Sequence, residues 1–129
     1  MKVKFISNAC CIIETNAGTK ILTDPWIENG VFEGSWCHFQ KLKTTINDLQ
    51  DVDAIYVSHI HPDHYDDRFF NFPKDMPIIV LDHGLNFIHR KLKEDGYENL
   101  IKIKNKETKK FKDFELTLFA PFVKNTFYE

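Results

Sequence analysis

The stretch Ser58-His59-Ile60-His61-Pro62-Asp63-His64-Tyr65-Asp66 decides the interpretation of this chain. Three histidines and an aspartate fall within six residues, directly after the apolar run Ala54-Ile55-Tyr56-Val57, which predicts a buried strand. Neutral imidazole and carboxylate are the ligands that Zn²⁺ and other first-row metals take in proteins. The stretch therefore predicts a metal site that activates water at the end of a strand.

The spacing of these side chains predicts two metal positions. Residues two apart in an extended segment point the same way, so His59 and His61 can converge on one ion at about 2.0–2.1 Å. Pro62 favours an extended His61 and then bends the chain, which turns Asp63 and His64 toward a second ion. Two ions about 3.5–4 Å apart can share a hydroxide and clamp the attacking and leaving oxygens.

At these residues the chain resembles a known family. The run His59-Ile60-His61-Pro62-Asp63-His64 is similar to the H-x-H-x-D-H signature of the metallo-β-lactamase superfamily. Thr23-Asp24-Pro25-Trp26 resembles the earlier aspartate element of that family, and the alternating segment Lys2–Thr23 fits the same start. The Asp-Pro-Trp form resembles most the branch that holds lactonases, N-acylphosphatidylethanolamine phospholipases D and relatives of CMP-sialate hydroxylase.

The resemblance implies a role for each matching residue. His59 and His61 would bind the first metal, and Asp63 and His64 would bind the second. Asp63 would also act as the catalytic acid/base, and Asp24 would hold a ligand histidine by a hydrogen bond. The cofactor implied for the complete site is a pair of Zn²⁺ ions, with Mn or Fe as alternatives.

The fold implied is a four-layer αββα sandwich. This α/β chain would form its first half, a mixed β-sheet flanked by helices, as a single domain over residues 1–129 that is incomplete at the C-terminus. The family needs three further ligands: a third histidine, a bridging aspartate and a final histidine. Downstream of His64 the chain offers only His83, which follows a predicted strand, and His89, which lies on the outer face of a predicted helix.

Three explanations for the incomplete site remain open. The first, which we favour, is that the chain is a fragment of a longer protein. The second is a degenerate half that self-associates or pairs with another chain, and the third is a domain kept for binding rather than catalysis. An isolated half would leave one sheet face uncovered, so we expect the polypeptide alone to self-associate and to be inactive. Aromatic residues near the end would enlarge that apolar surface: Phe111, Phe114, Phe119, Phe122, Phe127 and Tyr128.

Apolar runs and turn residues predict the remaining elements. Predicted strands cover Lys2–Ser7, Ala9–Thr15, Lys20–Thr23, Ala54–Ser58, Ile78–Leu81, Leu100–Ile103 and Glu115–Phe119. Predicted helices cover Asp66–Phe70 and Gly84–Asp95, the latter with Gly96 as its C-cap, and a helical turn covers Ile46–Leu49.

Two segments without a period complete the prediction. Residues 27–45 predict a long loop. Its aromatic side chains Phe32, Trp36 and His38, together with the preceding Trp26, are predicted to border the cleft. The lysine-rich segment 102–112 is interpreted as a solvated turn, in preference to a phosphate-binding patch.

Composition excludes several classes of function. The chain has 129 residues and a net charge of −2, so it has no bulk attraction for nucleic acid or an anionic membrane. No apolar run approaches the roughly 20 residues of a membrane-spanning helix. Cys10, Cys11 and Cys37 form no C-x-x-C motif, which favours reduced thiols, buried at the first two positions, and a cytoplasmic location. Cys37 beside His38 is a weaker candidate ligand or nucleophile.

The leading functional hypothesis is a metal-dependent hydrolase. Metal-bound hydroxide would attack an ester, lactone, amide or phosphodiester in a small-molecule substrate. Two alternatives stay open. The chain could be a truncated or degenerate metal-binding or interaction module without catalysis, because ligands are missing. It could also be an iron-dependent oxygen-using enzyme on the same fold, because histidine and carboxylate suit iron as well. Metal content and the reading frame beyond Glu129 separate these hypotheses.

Overall fold

A mixed six-stranded β-sheet forms the centre of the chain. The computed structural model describes residues 1–82, 84 and 86–120. The strands of the central sheet are β1 (Lys2–Ser7), β2 (Cys10–Glu14), β3 (Lys20–Thr23), β4 (Ala54–Val57), β5 (Ile78–Asp82) and β6 (Leu100–Lys104), and they lie side by side in chain order. A separate hairpin joins β7 (Thr108–Phe111) to β8 (Phe114–Thr117). The helix α1 covers Phe87–Glu94, and a 3-10 turn covers Ile46–Leu49.

The direction of the strands changes at β3. The first three strands form an antiparallel meander, whereas β3, β4, β5 and β6 run parallel to one another. The carboxyl ends of parallel strands meet at one edge of a sheet, which is where open α/β sheets place their ligands. Asp24 follows β3 and Ser58 follows β4, so both lie at this edge. The predicted mixed α/β fold is confirmed.

The two faces of the sheet have different covers. One face presents Leu22, Ile55 and Ile78, which pack with Ile88 and Leu92 of α1 and with residues of the connecting loops in the main hydrophobic core. The opposite face presents a smaller cluster, which contacts apolar side chains of the β7–β8 hairpin: Ile21, Ala54, Ile79 and Ile103 against Phe111, Phe114, Leu116 and Leu118. The hairpin therefore covers the part of this face that lies over the parallel strands.

The helix predicted at Asp66–Phe70 is wrong, because this segment forms a single turn. The carbonyl of Asp66 accepts hydrogen bonds from the backbone N–H groups of Phe69 and Phe70 at 3.0 and 2.8 Å. The Asp66 carboxylate also accepts a bond from the backbone N–H of Arg68 at 3.1 Å. Such local side-chain bonds compete with helix propagation, and one turn is too short to offset the cost of nucleation.

The helix predicted at Gly84–Asp95 begins later than expected, at Phe87. Asn86 lies in the left-handed region with φ of 50°, which stops the helix from extending toward the preceding residues. Ile88 and Leu92, four positions apart on one face of the helix, are buried, and Gly96, with φ of 87°, follows the helix end as predicted. His83 and Leu85 lie outside the described residues.

The lysine-rich segment is more ordered than a solvated turn. It contains β7, which pairs with β8 in the register Lys109↔Leu116 and Lys110↔Glu115. The lysines of this segment are nevertheless exposed. The strand predicted at Glu115–Phe119 begins one residue earlier, at Phe114, and ends at Thr117. The other predicted strands agree with the structure to within one residue at each end.

Part of the sheet surface near the N-terminus is apolar and is not covered by any of the described residues. Val3 pairs with Ile13 and Phe5 pairs with Cys11, so these four residues share the face that the hairpin covers further along. Val3 is 63% exposed and Phe5 is 70% exposed. The strand β1 is therefore an edge strand with an open apolar side.

Candidate metal centre

Asp24 occupies a constrained position at the carboxyl edge of the sheet. Its backbone N–H donates to the carbonyl of Tyr56 at 2.9 Å, and its φ is 37°, in the left-handed region that aspartate adopts rarely. Trp26 donates its backbone N–H to the Asp24 carbonyl at 2.7 Å. These bonds turn the chain after β3 and bury the carboxylate, which leaves the residue 5% exposed.

The Asp24 carboxylate contacts the metal-binding motif with both oxygens. Oδ1 accepts hydrogen bonds from the backbone N–H of Ser58 at 2.8 Å and from its hydroxyl at 3.0 Å. Oδ2 lies 3.1 Å from Nδ1 of His64. The aspartate therefore stands behind the motif and holds a histidine in the way that a supporting carboxylate does at metal sites.

His59 and His61 form the first pair of candidate ligands. Nε2 of His59 lies 2.9 Å from Nδ1 of His61, and the two rings meet edge to face. Two atoms that bind one ion at about 2.0–2.1 Å, with an angle of roughly 90–109°, lie about 2.8–3.4 Å apart. The observed separation falls within this interval, so the two nitrogens fit neighbouring positions on one ion.

Asp63 and His64 form the second pair. Oδ2 of Asp63 lies 3.4 Å from Nε2 of His64, at the upper end of the same interval. Asn8, in the turn between β1 and β2, donates its side-chain N–H to Oδ2 of Asp63 at 3.2 Å. The rings of His59 and His64 are 4.0 Å apart between centroids, so the two pairs are adjacent.

The four predicted ligands come together as two pairs and not as a larger group. Across residues 1–82, 84 and 86–120, no set of three or more His, Cys, Asp or Glu side chains is arranged to hold an ion. Nitrogen and oxygen donors in two facing pairs fit a two-metal site in type and spacing. Each pair leaves coordination positions to be filled by other ligands.

The electrostatic surroundings of His59 and His64 differ. Burial lowers the pKa of His59, and the charges of the other two motif histidines lower it further. Burial also acts to lower the pKa of His64, but the hydrogen bond and charge of Asp24, with the charge of Asp63, outweigh it and raise the pKa. The surroundings of His59 thus favour the neutral form that binds metal, whereas those of His64 include a bonded carboxylate.

The described part of the chain contains one of the two downstream histidines. His83 lies outside the described residues. His89 lies on α1, where burial lowers its pKa and its charged neighbours are Lys102, Lys93 and Asp82. The third histidine, the bridging aspartate and the final histidine that the resemblance requires are therefore not supplied by the described part of the chain.

The long loop after β3 borders an open groove beside the motif. Phe32 lines this groove of about 310 Å³ together with Ile60 and Pro62, which flank His61 in the chain. Arg68 ties the loop in place, because its guanidinium donates to the Gly30 carbonyl at 3.2 Å. It also binds both oxygens of the Asp66 carboxylate, at 2.9 and 2.6 Å.

The other aromatic residues of this loop pack among themselves. The ring of His38 stacks on Trp26, with centroids 4.2 Å apart, and Trp36 packs against Phe32 at 5.1 Å. Cys37 is exposed, whereas burial raises the pKa of the Cys10 thiol to about 12. Cys10 is therefore a small buried core residue, as its sequence predicts.

Two contacting residues were not singled out from the sequence. Ser58 bonds Asp24 and lies next to two motif histidines. Its only signal is its place directly before His59. Asn8 carries no signal of its contact with Asp63, because an asparagine between two strands is an ordinary turn residue.

Comparison with known proteins places the chain in a wider context. Residues 2–122 match the family model described as a β-lactamase superfamily domain. The chain is 36% identical over 104 residues to a predicted Rieske 2Fe-2S iron-sulfur protein of Mycolicibacterium smegmatis. The aligned segment covers 77% of this chain and 19% of that protein. It is 30% identical over 122 residues to the cytidine monophosphate-N-acetylneuraminic acid hydroxylase of Asterias rubens. This alignment covers 86% of this chain and 17% of that protein. The chain thus spans less than a fifth of the length of these curated relatives.

Solved structures show the same fold. The isothiocyanate hydrolase from Delia radicum gut bacteria is 27% identical, with a TM-score of 0.68 over 88% of this chain and 45% of its own. CmlA, a diiron β-hydroxylase from Streptomyces venezuelae, is 22% identical, with a TM-score of 0.61 over 94% of this chain and 24% of its own. The second likeness concerns the fold alone. No helix within the described ranges is long and apolar enough to cross a membrane.

Proposed function

The chain belongs to the β-lactamase superfamily, and we propose that it supplies half of the metal site of a metal-dependent hydrolase. The substrate would be a small molecule with an ester, lactone, amide or phosphodiester bond. The observation that carries this proposal is the pair of facing ligand sets, His59 with His61 and Asp63 with His64, spaced as ligands of single ions. Residues 1–129 would act as one domain whose site is completed by ligands from elsewhere.

Each of the four side chains has a proposed atom for the metal. His59 would bind through Nε2 and His61 through Nδ1, and the second ion would be held by Nε2 of His64 and a carboxylate oxygen of Asp63. We propose Zn²⁺ for both positions, because imidazole and carboxylate suit it, with Mn or Fe as alternatives. Such ions supply Lewis-acid activation of water and of a substrate oxygen.

The residues around the pairs would orient and move protons. Asp63 is the carboxylate within the motif itself, and its side chain is 22% exposed, so it can reach a bound water and accept its proton. Asp24 would keep the ring of His64 in place through the contact at 3.1 Å. The groove beside Ile60 and Pro62 would receive the substrate, with the Phe32 ring on its wall.

Two further parts of the proposal follow from the surface of the chain. Three free cysteines, one of them exposed, suit the reducing cytoplasm. The apolar side of β1 and β2, with Val3 and Phe5 exposed, would support self-association when it is left uncovered.

A second candidate function is an iron-dependent oxygen-using enzyme. It is favoured by the 30% identity to the hydroxylase of Asterias rubens, which extends over 86% of this chain. The same nitrogen and oxygen donors would hold iron. We do not propose for this chain the iron-sulfur cluster that the name of the mycobacterial relative contains. A Rieske cluster needs two cysteines and two histidines, whereas Cys10 is buried in the core and Cys37 is exposed beside a histidine that stacks on Trp26.

The test uses protein expressed from the complete reading frame that contains this chain. Elemental analysis identifies the metal, and turnover is assayed on activated esters, a lactone and an aryl phosphodiester, with and without oxygen. Zinc with oxygen-independent turnover supports the hydrolase, and Asp63→Asn should then lower kcat by about 10²–10⁴-fold. Iron with oxygen consumption supports the second candidate instead. A protein that binds neither metal contradicts both.

A further inference from the structure

The hydroxyl of Ser58 is a common neighbour of three groups behind the proposed metal site. It lies 3.0 Å from Oδ1 of Asp24, 2.9 Å from Nδ1 of His59 and 3.1 Å from Nδ1 of His64. Ser58 is half-buried at the end of β4, and its own backbone N–H is fixed on the same Asp24 oxygen at 2.8 Å. One side chain with a fixed backbone therefore touches both histidines at the nitrogen that faces away from the ligand pairs.

The number of protons determines how these contacts are arranged. A serine hydroxyl donates one hydrogen and accepts up to two, and an ionised carboxylate only accepts. The hydroxyl must therefore give its hydrogen to Asp24, and it can then only accept from the two imidazoles. This requires an N–H at Nδ1 of His59 and an N–H at Nδ1 of His64, which leaves Nε2 of each ring without a proton.

The two bare nitrogens are the ones that face the partner ligands. Nε2 of His59 faces His61 at 2.9 Å, and Nε2 of His64 faces Asp63 at 3.4 Å. We infer that Ser58 is a positioning residue that sets the tautomer of His59 and shares with Asp24 the acceptor role at Nδ1 of His64. The inference rests on the proposed metal site and extends it to a residue outside the ligand set.

The two histidines depend on Ser58 to different degrees. His64 has a second acceptor at Nδ1, because Oδ2 of Asp24 lies 3.1 Å away. Ser58 is the Nδ1 partner that the described residues give to His59. Loss of the hydroxyl should therefore change the tautomer of His59 and spare that of His64, a difference that general destabilisation of the loop would not produce.

The experiment compares Ser58→Thr with Ser58→Val, which have the same shape but differ in the hydroxyl. Histidine is labelled with ¹⁵N, and long-range ¹H–¹⁵N correlation spectra of the metal-free protein are recorded at about pH 8, where neutral rings dominate. The wild type and Ser58→Thr should show the Nδ1–H tautomer for His59 and His64. Ser58→Val should show His59 as Nε2–H and His64 unchanged. Zn²⁺ affinity should fall about 10–100-fold in Ser58→Val relative to Ser58→Thr.

Two results would overturn the inference. One is an Nε2–H tautomer for His59 in the wild type, and the other is the same His59 tautomer in the threonine and valine variants. If Ser58→Val does not fold, Ser58→Ala replaces it in the same comparison.

The readout needs no metal, substrate or turnover, so its failure is distinct from failure of the proposed function. Correct tautomers without any hydrolysis would contradict the function and leave the inference standing. Hydrolysis by a protein whose His59 is in the other tautomer would contradict the inference alone.

Discussion

At the scale of single residues, the backbone of Asp24 is strained at this site. An aspartate with φ of 37° is in a sparsely populated region, at a cost of about 1–3 kcal/mol. That conformation brings one carboxylate within bonding distance of Ser58 and His64, which lie 34 and 40 positions further along the chain. Strain of this kind persists where the surrounding bonds hold it, and here they belong to the proposed metal site.

We predict a pH-dependent effect for Asp24→Asn in the metal-free protein. The hydrogen bond and charge of Asp24 help to raise the pKa of His64 in the folded state. A raised folded pKa adds stability below the unfolded value of about 6.5, and this stability is lost as the pH rises through the folded pKa. The variant should therefore lose more unfolding free energy at about pH 5.5 than at about pH 9.

Urea unfolding of the wild type and of Asp24→Asn at the two pH values measures this difference. An NMR titration of His64 provides the matching check, since its pKa should fall in the variant. Equal losses at both pH values, with an unchanged pKa, would show that Asp24 does not act on His64 through its charge.

The residue scale also shows which parts of the site the sequence reveals. The four histidine and aspartate positions could be named because their types and spacing match metal chemistry. Ser58 and Asn8 could not be assigned, because their roles arise from contacts between strand ends. Asn8 precedes Asp63 by 55 positions, and only the register of β1, β2 and β3 beside β4 brings the two together.

At the scale of elements, α1 is tied to the motif through its C-terminal end. Tyr65, which directly follows the last motif histidine, is 4% exposed, and its hydroxyl donates to the Asp95 carboxylate just after the helix. Lys91 bonds Asp95 at 2.9 Å and Asp67 at 2.6 Å. The helix therefore supports the loop from behind, in addition to its apolar contacts with the sheet.

We predict that Tyr65→Phe destabilises the fold by about 1.5–3 kcal/mol, because it removes a hydrogen bond to a charged group and little else. Urea unfolding at neutral pH measures the loss. Lys93→Ala, an exposed change on the same helix, serves as the control and should stay within about 0.5 kcal/mol of the wild type. Equal stability of Tyr65→Phe and the wild type would mean that the bond to Asp95 does not hold the loop.

Strands were easier to predict than the turns and the hairpin. Ile78–Asp82 and its neighbour Ala54–Val57 are largely buried on both faces, so they appear in the sequence as continuous apolar runs. The segment Thr108–Phe111 has no such run, because Lys109 and Lys110 lie at its centre and are both exposed. Its pairing with Phe114–Thr117 depends on the apolar side that packs on the sheet. The charged residues of this segment therefore hide its strand character in the sequence. Its strand forms because the hairpin packs on the sheet.

At the scale of the whole molecule, the described residues leave an apolar surface exposed on one side of β1 and β2. Phe5 and Val3 are mostly exposed on an edge strand, where open backbone groups invite pairing with another chain. The polypeptide Met1–Glu129 is therefore predicted to self-associate, and Phe5→Ser should weaken that association. Phe39→Ser is the control, since Phe39 is fully exposed but lies in the long loop.

Light scattering and sedimentation across a range of protein concentration measure this prediction. Association should fall in Phe5→Ser and stay at the wild-type level in Phe39→Ser. A wild-type polypeptide that remains a clean monomer and binds no apolar dye would rule out this surface as an interface.

The central claim is that two ligand pairs in the motif each hold one metal ion, and equilibrium Zn²⁺ binding tests it most directly. Protein expressed from the complete reading frame that contains this chain is stripped of metal, titrated with Zn²⁺ and measured for bound ions per chain. The wild type and the control His89→Ala, which alters a histidine on α1 outside the motif, should bind two ions, and His61→Ala and His64→Ala should each lose one. Unchanged stoichiometry in both His61→Ala and His64→Ala would contradict the account.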